Sequence, residues 1–263
     1  MEDSRALSRR SFGANAERYV SSRDHQTGES LDRLVALAAT RRTWRALDIA
    51  TGGGHTALAL APHVREVVAS DLTLEMLAAA ERFIRGKGVT NVVFREGDAC
   101  SLPFADSEFD LVTCRVAPHH FPDAAQFVRE CARVVRPGGT VVVIDNVTPE
   151  DAVASAAINE IERVRDPSHQ RAYNETEWVT FFRDAGLVVE RVEHFRKRRD
   201  FDFWTDLQEV DRQVRERLRG LFQALPASAK TALAPEEHEG RLTFFLNEVL
   251  ILARSPAPRA SRP

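Results

Sequence analysis

Asp48 to Thr56 reads Asp-Ile-Ala-Thr-Gly-Gly-Gly-His-Thr, a glycine-rich turn between an apolar strand-like run, Arg45 to Ile49, and a helix-compatible run, Thr56 to Ala61. A backbone that turns on glycines between a strand and a helix passes close to a ligand and aims helix N–H groups at it. The turn therefore belongs to a nucleotide-binding α/β unit. From Arg45 onward, apolar runs of strand length alternate with amphipathic helical stretches, which implies parallel strands joined by right-handed crossovers. Strands are expected near residues 45–49, 66–70, 91–96, 109–114 and 140–145. Thr73 caps a helix ending at Gly86, and a helix from Pro122 to Val135 is terminated by Pro137-Gly138. Asn174-x-x-Glu177 is a capping-box pattern for a helix reaching Gly186; Leu187 to Phe195 reads as another strand, and Glu248 to Ala253 as the last.

The loop by itself admits two ligands. Gly52-x-Gly54-x-x-Ala57, with Asp71 placed 19 residues after Gly52, fits a dinucleotide fingerprint. Asp48 argues otherwise: at roughly 4 Å and an effective dielectric near 20, two like unit charges repel by about 4 kcal/mol. A carboxylate beside the turn penalises a pyrophosphate and favours a cationic ligand, such as the sulfonium and ammonium of S-adenosylmethionine. The competing role for Asp48 is to cap the turn through backbone N–H groups. Asp71 accepts ribose hydroxyls in either reading.

Three further stretches follow in order: Gly97-Asp98-Ala99, Phe109-Asp-Leu-Val-Thr-Cys114, and Arg133-Val-Val-Arg136-Pro137-Gly138-Gly139-Thr140. Together with the turn they resemble the ordered motifs of class I S-adenosylmethionine-dependent methyltransferases. The resemblance covers most of the chain and is nearest to the small-molecule branch that includes the menaquinone and ubiquinone C-methyltransferases. It implies a Rossmann-like, seven-stranded, mostly parallel sheet with one antiparallel strand, here Glu248 to Ala253, with helices on both faces and a helical cap. It further implies that Asp98 meets the adenine amino group beside the Ala99 N–H, and that Asp48, Ala50, Gly52, Gly54, Asp71, Leu72 and Met76 line the cofactor. Tyr19 and His25 are similar to residues that close over the methionine tail. Arg115 is placed either against the cofactor carboxylate or in a salt bridge with a surface acid. Phe12-Gly13-x-Asn15-Ala16-x-x-Tyr19, Cys114-Arg115-x-Ala117-x-His119-His120-Phe121 and Arg165-Asp166-Pro167-Ser168-His169 are similar to a bacterial subgroup of the branch. Ala50 departs from the first glycine of the family's turn, a mild variation unless its φ is positive.

The 263 residues, 43% hydrophobic, suit one large α/β domain with an elaboration. The expected division is a helical cap segment over 1–43, a methyltransferase domain over 44–254 with cap insertions at about 147–172 and 200–240, and a disordered tail over 255–263. The insertions carry apolar residues at helical spacing, compatible with packing on the sheet and with a cap over the strand ends. Thirty-six basic against 39 acidic residues leave a net charge of -3, which offers no global attraction for nucleic acid or an anionic membrane. Cys100, Cys114 and Cys131 have neither zinc-site nor disulfide-framework spacing, so no metal is expected. Ser8-Arg9-Arg10-Ser11-Phe12 superficially matches a twin-arginine signal but lacks the apolar region that should follow. No apolar run approaches the ~20 residues of a membrane span. The expectation is a cytoplasmic monomer or homodimer.

Methyl transfer is an in-line displacement, to which positioning alone can contribute about 7 to 11 kcal/mol and a general base roughly 10²- to 10⁴-fold. The candidate bases are His119 and His120, just past the fourth strand at the rim where acceptors bind; the same His-His-Phe-Pro can serve as a packing and turn element. His55, in the turn, is expected to face solvent or the cofactor edge without a catalytic role, and Arg196 to Arg199 to form a solvated face. The expected activity is methyl transfer from S-adenosylmethionine to an oxygen or activated carbon of a small-molecule acceptor: a quinone, an aromatic or a secondary metabolite. The alternatives are an S-adenosylmethionine-binding protein without methyl transfer and, disfavoured by Asp48, Gly97-Asp98-Ala99 and the lack of a Tyr-x-x-x-Lys pair, an NAD-dependent oxidoreductase.

Overall fold

A computed structural model describes residues 4–21 and 28–257 of the chain. Its centre is one sheet with the strands β1 (Arg45–Ile49), β2 (Glu66–Asp71), β3 (Val92–Glu96), β4 (Phe109–Arg115), β5 (Val135–Asn146), β6 (Val188–Asp200), β7 (Glu236–His238) and β8 (Arg241–Arg254). Seven run in the order β3-β2-β1-β4-β5-β8-β6, and β7 pairs with β8 off that path. The first five are parallel, and β8 runs against both β5 and β6. Glu248 to Ala253 thus lies in the reversed strand. The eighth strand beyond the expected seven is a three-residue hairpin partner, closed by Gly240 at φ 77°.

Helices cover both faces. On one side α3 (Glu29–Ala38), α4 (His55–Leu60) and α5 (Leu74–Gly86) pack Leu34, Leu60 and Ile84 against Val67, Val142 and Leu250. On the other, α6 (Ala124–Val134) and α8 (Glu175–Asp184) pack Phe127, Trp178 and Phe182 against Val112, Val143 and Ile251. All three cysteines are buried within this second cluster. The capping box of α8 forms with both bonds: Asn174 accepts the Glu177 N–H and Glu177 accepts the Asn174 N–H. Such a cap stabilises a helix start by about 1 kcal/mol.

The additional segments build a layer of their own. α7 (Ala152–Arg165), α9 (Phe201–Asp206), α10 (Arg212–Gln223) and α11 (Ala227–Leu233) enclose a cluster of Ile158, Phe201, Trp204, Leu218, Phe222, Phe244 and Leu246 with the first half of β8. After α7, its helices span 201–233, while 236–238 belongs to the hairpin. β6 runs past Phe195 to Asp200, so the basic run 196–199 is strand, with Arg196 and Arg198 exposed as a solvated face and Lys197 and Arg199 half-buried. Lys197 pairs with the fully buried Glu248 at 2.8 Å, and Arg196 lies 4.3 Å over the Phe245 ring. The N-terminal α1 (Ser4–Ala14) and α2 (Ala16–Ser21) lie near α5, where Ala16 packs with Met76 and Ala79. Ser255, placed in the expected disordered tail, exchanges backbone hydrogen bonds with Gly138 and Gly139 at 2.9 and 3.0 Å; the tail beyond 257 lies outside the described residues. Among the described residues no helix is long and apolar enough to cross a membrane.

Candidate functional site

β1 and β4 are neighbours, with Ile49 in register with Cys114, yet the chain proceeds from β1 to β2 on one side and from β4 to β5 on the other. Diverging connections of this kind leave a crevice beyond the C-terminal strand ends. A cleft of about 1020 Å³ occupies it, bordered by Tyr19, Asp48, Ala50, Gly52, Asp71, Leu72, Met76, Asp98, Ala99, Arg115 and His120. Gly54 and His119 are not on its wall, and His25 lies outside the described residues.

The turn positions its carboxylate from below. Asp48 is 2% exposed and accepts the Thr51 hydroxyl at 2.7 Å and the Thr113 hydroxyl at 2.8 Å. Burial pushes its carboxyl up to about 6, against the two hydroxyls and the charge of Arg115. Gly54, at φ 82°, serves the packing: a Cβ there would meet Ile84 Cδ1 at 2.8 Å, so glycine lets α4 begin against α5. Ala50 has φ 50°, which corrects the expectation of a mild variation, because a Cβ in the left-handed region costs roughly 1–2 kcal/mol. Val116, directly after β4 on the same rim, is at φ 54°, rarer still for a β-branched residue. Strain of this kind concentrates at ligand sites.

Asp71 ties two loops together, accepting the Gly52 N–H at 2.9 Å and the Thr73 N–H at 3.0 Å. Burial raises its pKa while these backbone bonds oppose the rise. Asp98 accepts the Cys100 N–H at 2.8 Å and Arg5 Nε at 2.5 Å, which draws α1 over the mouth of the cleft. Arg115 is half-buried and donates from Nε to Thr56 at 3.1 Å; desolvation lowers its pKa against the charges of Glu248 and Asp48. Of its two expected settings, His55 takes the edge of the cleft and not solvent. It is 6% exposed, meets the Tyr19 carbonyl at 3.1 Å and lies edge-on to Phe83, so it fastens the N-terminal segment to the turn. The Tyr19 phenol is pushed up to about 12, chiefly by burial and then by Asp166, and accepts from Gln208 Nε2 at 3.1 Å.

Beyond Tyr19 lies a second chamber of about 680 Å³, bordered by Phe12, Val116, His119, His120, Asn146, Arg165, Asp166, Arg199, Trp204, Leu207 and Leu246. Phe12, Tyr19, Val116 and His120 line both spaces. The two histidines are in different electrical settings. His119 Nδ1 meets Asp145 at 2.6 Å; burial opposes the imidazolium, but Asp145, then Glu162 and Asp166, raise its pKa overall. Burial and the neighbouring His119 hold His120 down to about 3, so it is neutral at pH 7. One ring is inclined to hold a proton and its neighbour offers a lone pair, with centroids 4.2 Å apart.

Asp145, Asn146, Asp166, Ser168 and Gln208 were not singled out from the sequence as site residues. Asp145 had a readable signal: a carboxylate ending the apolar run Val141-Val142-Val143-Ile144, at the strand end where ligands of open sheets bind. Gln208 had none.

Residues 47–143 match the family described as methyltransferase domain. The uncharacterized methyltransferase YcgJ of Bacillus subtilis is 41% identical over 193 residues, 73% of this chain and 76% of that protein. Its crystal structure superposes with a TM-score of 0.84, covering 87% of this chain and 99% of that one at 34% identity. The BH2331 protein of Bacillus halodurans also gives a TM-score of 0.84, with 37% identity over 88% of this chain and 100% of that one. The 27-O-demethylrifamycin SV methyltransferase of Amycolatopsis mediterranei is 28% identical over 247 residues, 89% of this chain and 85% of that protein. By its ordered motifs, its sheet and these relatives, the chain belongs to the class I S-adenosylmethionine-dependent methyltransferase family.

Proposed function

We propose that the protein transfers a methyl group from S-adenosylmethionine, held in the first cleft, to a hydroxyl or activated carbon of a small-molecule acceptor held in the second. The observation that carries this reading is the wall the two spaces share, where His120 borders both. The first cleft suits the cofactor: Asp48 is a buried carboxylate partnered by two hydroxyls, whose desolvation outweighs these bonds and the charge of Arg115, a setting that rewards an ammonium. Asp71 and Asp98 would take the ribose and adenine polar edges, Met76 and Leu72 the apolar faces, and Arg115 the carboxylate. When bound, S-adenosylmethionine supplies an electrophilic methyl on a sulfonium.

The chain's own residues do the rest. Phe12, Tyr19 and Val116 narrow the junction and exclude water, and Trp204, Leu207 and Leu246 give the acceptor an apolar bed. His120, neutral at pH 7, accepts the proton that an acceptor hydroxyl loses as its oxygen bonds to carbon. The likeness, over 89% of this chain, to the 27-O-demethylrifamycin SV methyltransferase supports an oxygen on a sizeable secondary metabolite as acceptor. Calorimetric titration with S-adenosylmethionine, then mass spectrometry of an acceptor panel incubated with a labelled methyl donor, tests the reading. Binding followed by a labelled product is expected; binding of NADH and not of S-adenosylmethionine overturns it.

A further inference from the structure

Arg165-Asp166-Pro167-Ser168-His169 stands at the end of α7, far in sequence from the cofactor motifs; Pro167 is exposed, but Asp166 and Ser168 on either side of it are each 1% exposed. A buried carboxylate needs hydrogen-bond donors on both oxygens, and Asp166 has them. Oδ1 accepts the Ser168 hydroxyl at 2.6 Å and the Ser168 N–H at 2.9 Å, and Oδ2 accepts Gln208 Nε2 at 2.8 Å. The same serine oxygen lies 3.1 Å from His120 Nδ1.

Proton counting assigns each donor. Ser168 has one hydroxyl proton, and an ionised Asp166 can only accept, so at 2.6 Å that proton points to the carboxylate. The serine oxygen is then left as an acceptor for His120. Nδ1 of His120 must therefore carry the ring proton, which leaves Nε2 bare. The ring borders both chambers, and Nε2 has no hydrogen-bond partner among the described residues. An isolated neutral histidine prefers its proton on Nε2, so this chain of bonds reverses the intrinsic preference.

We propose that Asp166 and Ser168 are positioning residues that hold His120 as the Nδ1–H tautomer and turn its bare Nε2 to the junction of the two chambers. The proposal rests on the reading of His120 as the group that takes the acceptor's proton. It gives that reading its geometry: the proton arrives on Nε2, and the resulting imidazolium already donates toward Asp166 through Ser168. His169 takes no part, since its Nε2 meets Asn159 Oδ1 at 2.8 Å and orders the segment behind. Gln208 joins the same carboxylate to the Tyr19 hydroxyl, so the cap and the N-terminal helices meet at Asp166.

The test needs no acceptor. Full-length protein labelled with ¹⁵N-histidine is observed at pH 7 by long-range ¹H–¹⁵N correlation, with His120 assigned from the signal lost in His120→Gln. The expected wild-type pattern is a protonated Nδ1 and a bare Nε2. Ser168→Ala should move His120 to the Nε2–H form, and Ser168→Thr, which restores the hydroxyl, should return it to Nδ1–H. A wild-type Nε2–H pattern, or an Nδ1–H pattern that survives Ser168→Ala in a folded protein, overturns the proposal. Calorimetry with S-adenosylmethionine on the same samples separates the outcomes: the cofactor reading fails by loss of binding in the wild type, the positioning role by the tautomer alone.

Discussion

Thr51 donates its hydroxyl to Asp48 at 2.7 Å, and that carboxylate, with a second hydroxyl from Thr113, is only 2% exposed. Two neutral hydroxyls do not replace the hydration of a carboxylate, so its folded pKa stands at about 6 against an ordinary 3.8. For an acid whose folded pKa is raised, the sign is unfavourable. Ionisation costs stability progressively across the window from about 4 to 6, and the cost is complete above it.

Asp48→Asn should therefore stabilise the ligand-free protein while impairing its cofactor site. The upper limit of the gain at pH 7 is about 3 kcal/mol from a shift of some two units. Loss of a charged partner for the ammonium should weaken S-adenosylmethionine by about 1.5–3 kcal/mol, roughly ten- to 150-fold. Differential scanning fluorimetry and calorimetry read the two effects separately. A lower melting temperature combined with unchanged affinity would refute this account of Asp48.

The same carboxylate makes cofactor affinity depend on pH. A bound ammonium favours the ionised form and lowers the pKa of Asp48, so binding releases the proton that Asp48 holds below about 6. Affinity should be flat from pH 8 to 7 and fall as the pH drops through 6, approaching tenfold per unit. In Asp48→Asn this slope should vanish; a slope that persists there belongs to another group.

Asp71 shares its carboxylate between the Gly52 and Thr73 N–H groups. A ribose hydroxyl would join these donors at the carboxylate, which can accept several at once. Asp71→Ala should cost cofactor affinity roughly 1–3 kcal/mol. Unchanged binding constants in a folded variant would remove the ribose role.

How much of this was legible depended on sequence distance. The strand, the glycine turn and Asp48 are one contiguous stretch, and Asp71 follows at the next strand end, so periodicity and turn chemistry placed them without tertiary information. The apolar spacing of α7 and α10 announced helices, but not that Trp204 and Phe222 would close a cluster with Phe244 of β8. His119 and His120 were noticed as a pair, and only tertiary contacts separate them: His119 meets Asp145, 26 residues away, while His120 meets Ser168, 48 residues away. Backbone conformation was equally hidden, since nothing in the residue Ala50 signals that its φ is 50°.

That φ has a measurable consequence. Glycine removes the left-handed penalty of roughly 1–2 kcal/mol but gives back about 0.5–1 kcal/mol in unfolded-state entropy. Ala50→Gly should therefore raise stability by about 0.5–1 kcal/mol, a shift of about 1–4 °C for a chain of this size. A fall in melting temperature would show that the methyl group packs favourably enough to offset its strain.

Arg5 ties α1 to Asp98 over the first cleft by an ion pair at 2.5 Å whose side chains are 40% and 24% exposed, and Arg9 of the same helix adds a more exposed pair with Glu96 at 3.3 Å. Pairs this accessible contribute up to about 1 kcal/mol, which is less than tenfold in an opening equilibrium. The N-terminal helix is thus held closed weakly enough to admit a ligand, while His55 anchors the chain further on at the Tyr19 carbonyl. Arg5→Ala should speed amide hydrogen exchange across 4–14 several-fold and leave exchange in β1 and β4 unchanged. Bound S-adenosylhomocysteine should slow the same amides, because a ligand under α1 must be released before the helix can lift. Exchange in α1 that ignores both the substitution and the ligand would mean that the packing of Phe12 and Ala16, and not the ion pair, sets the closed position.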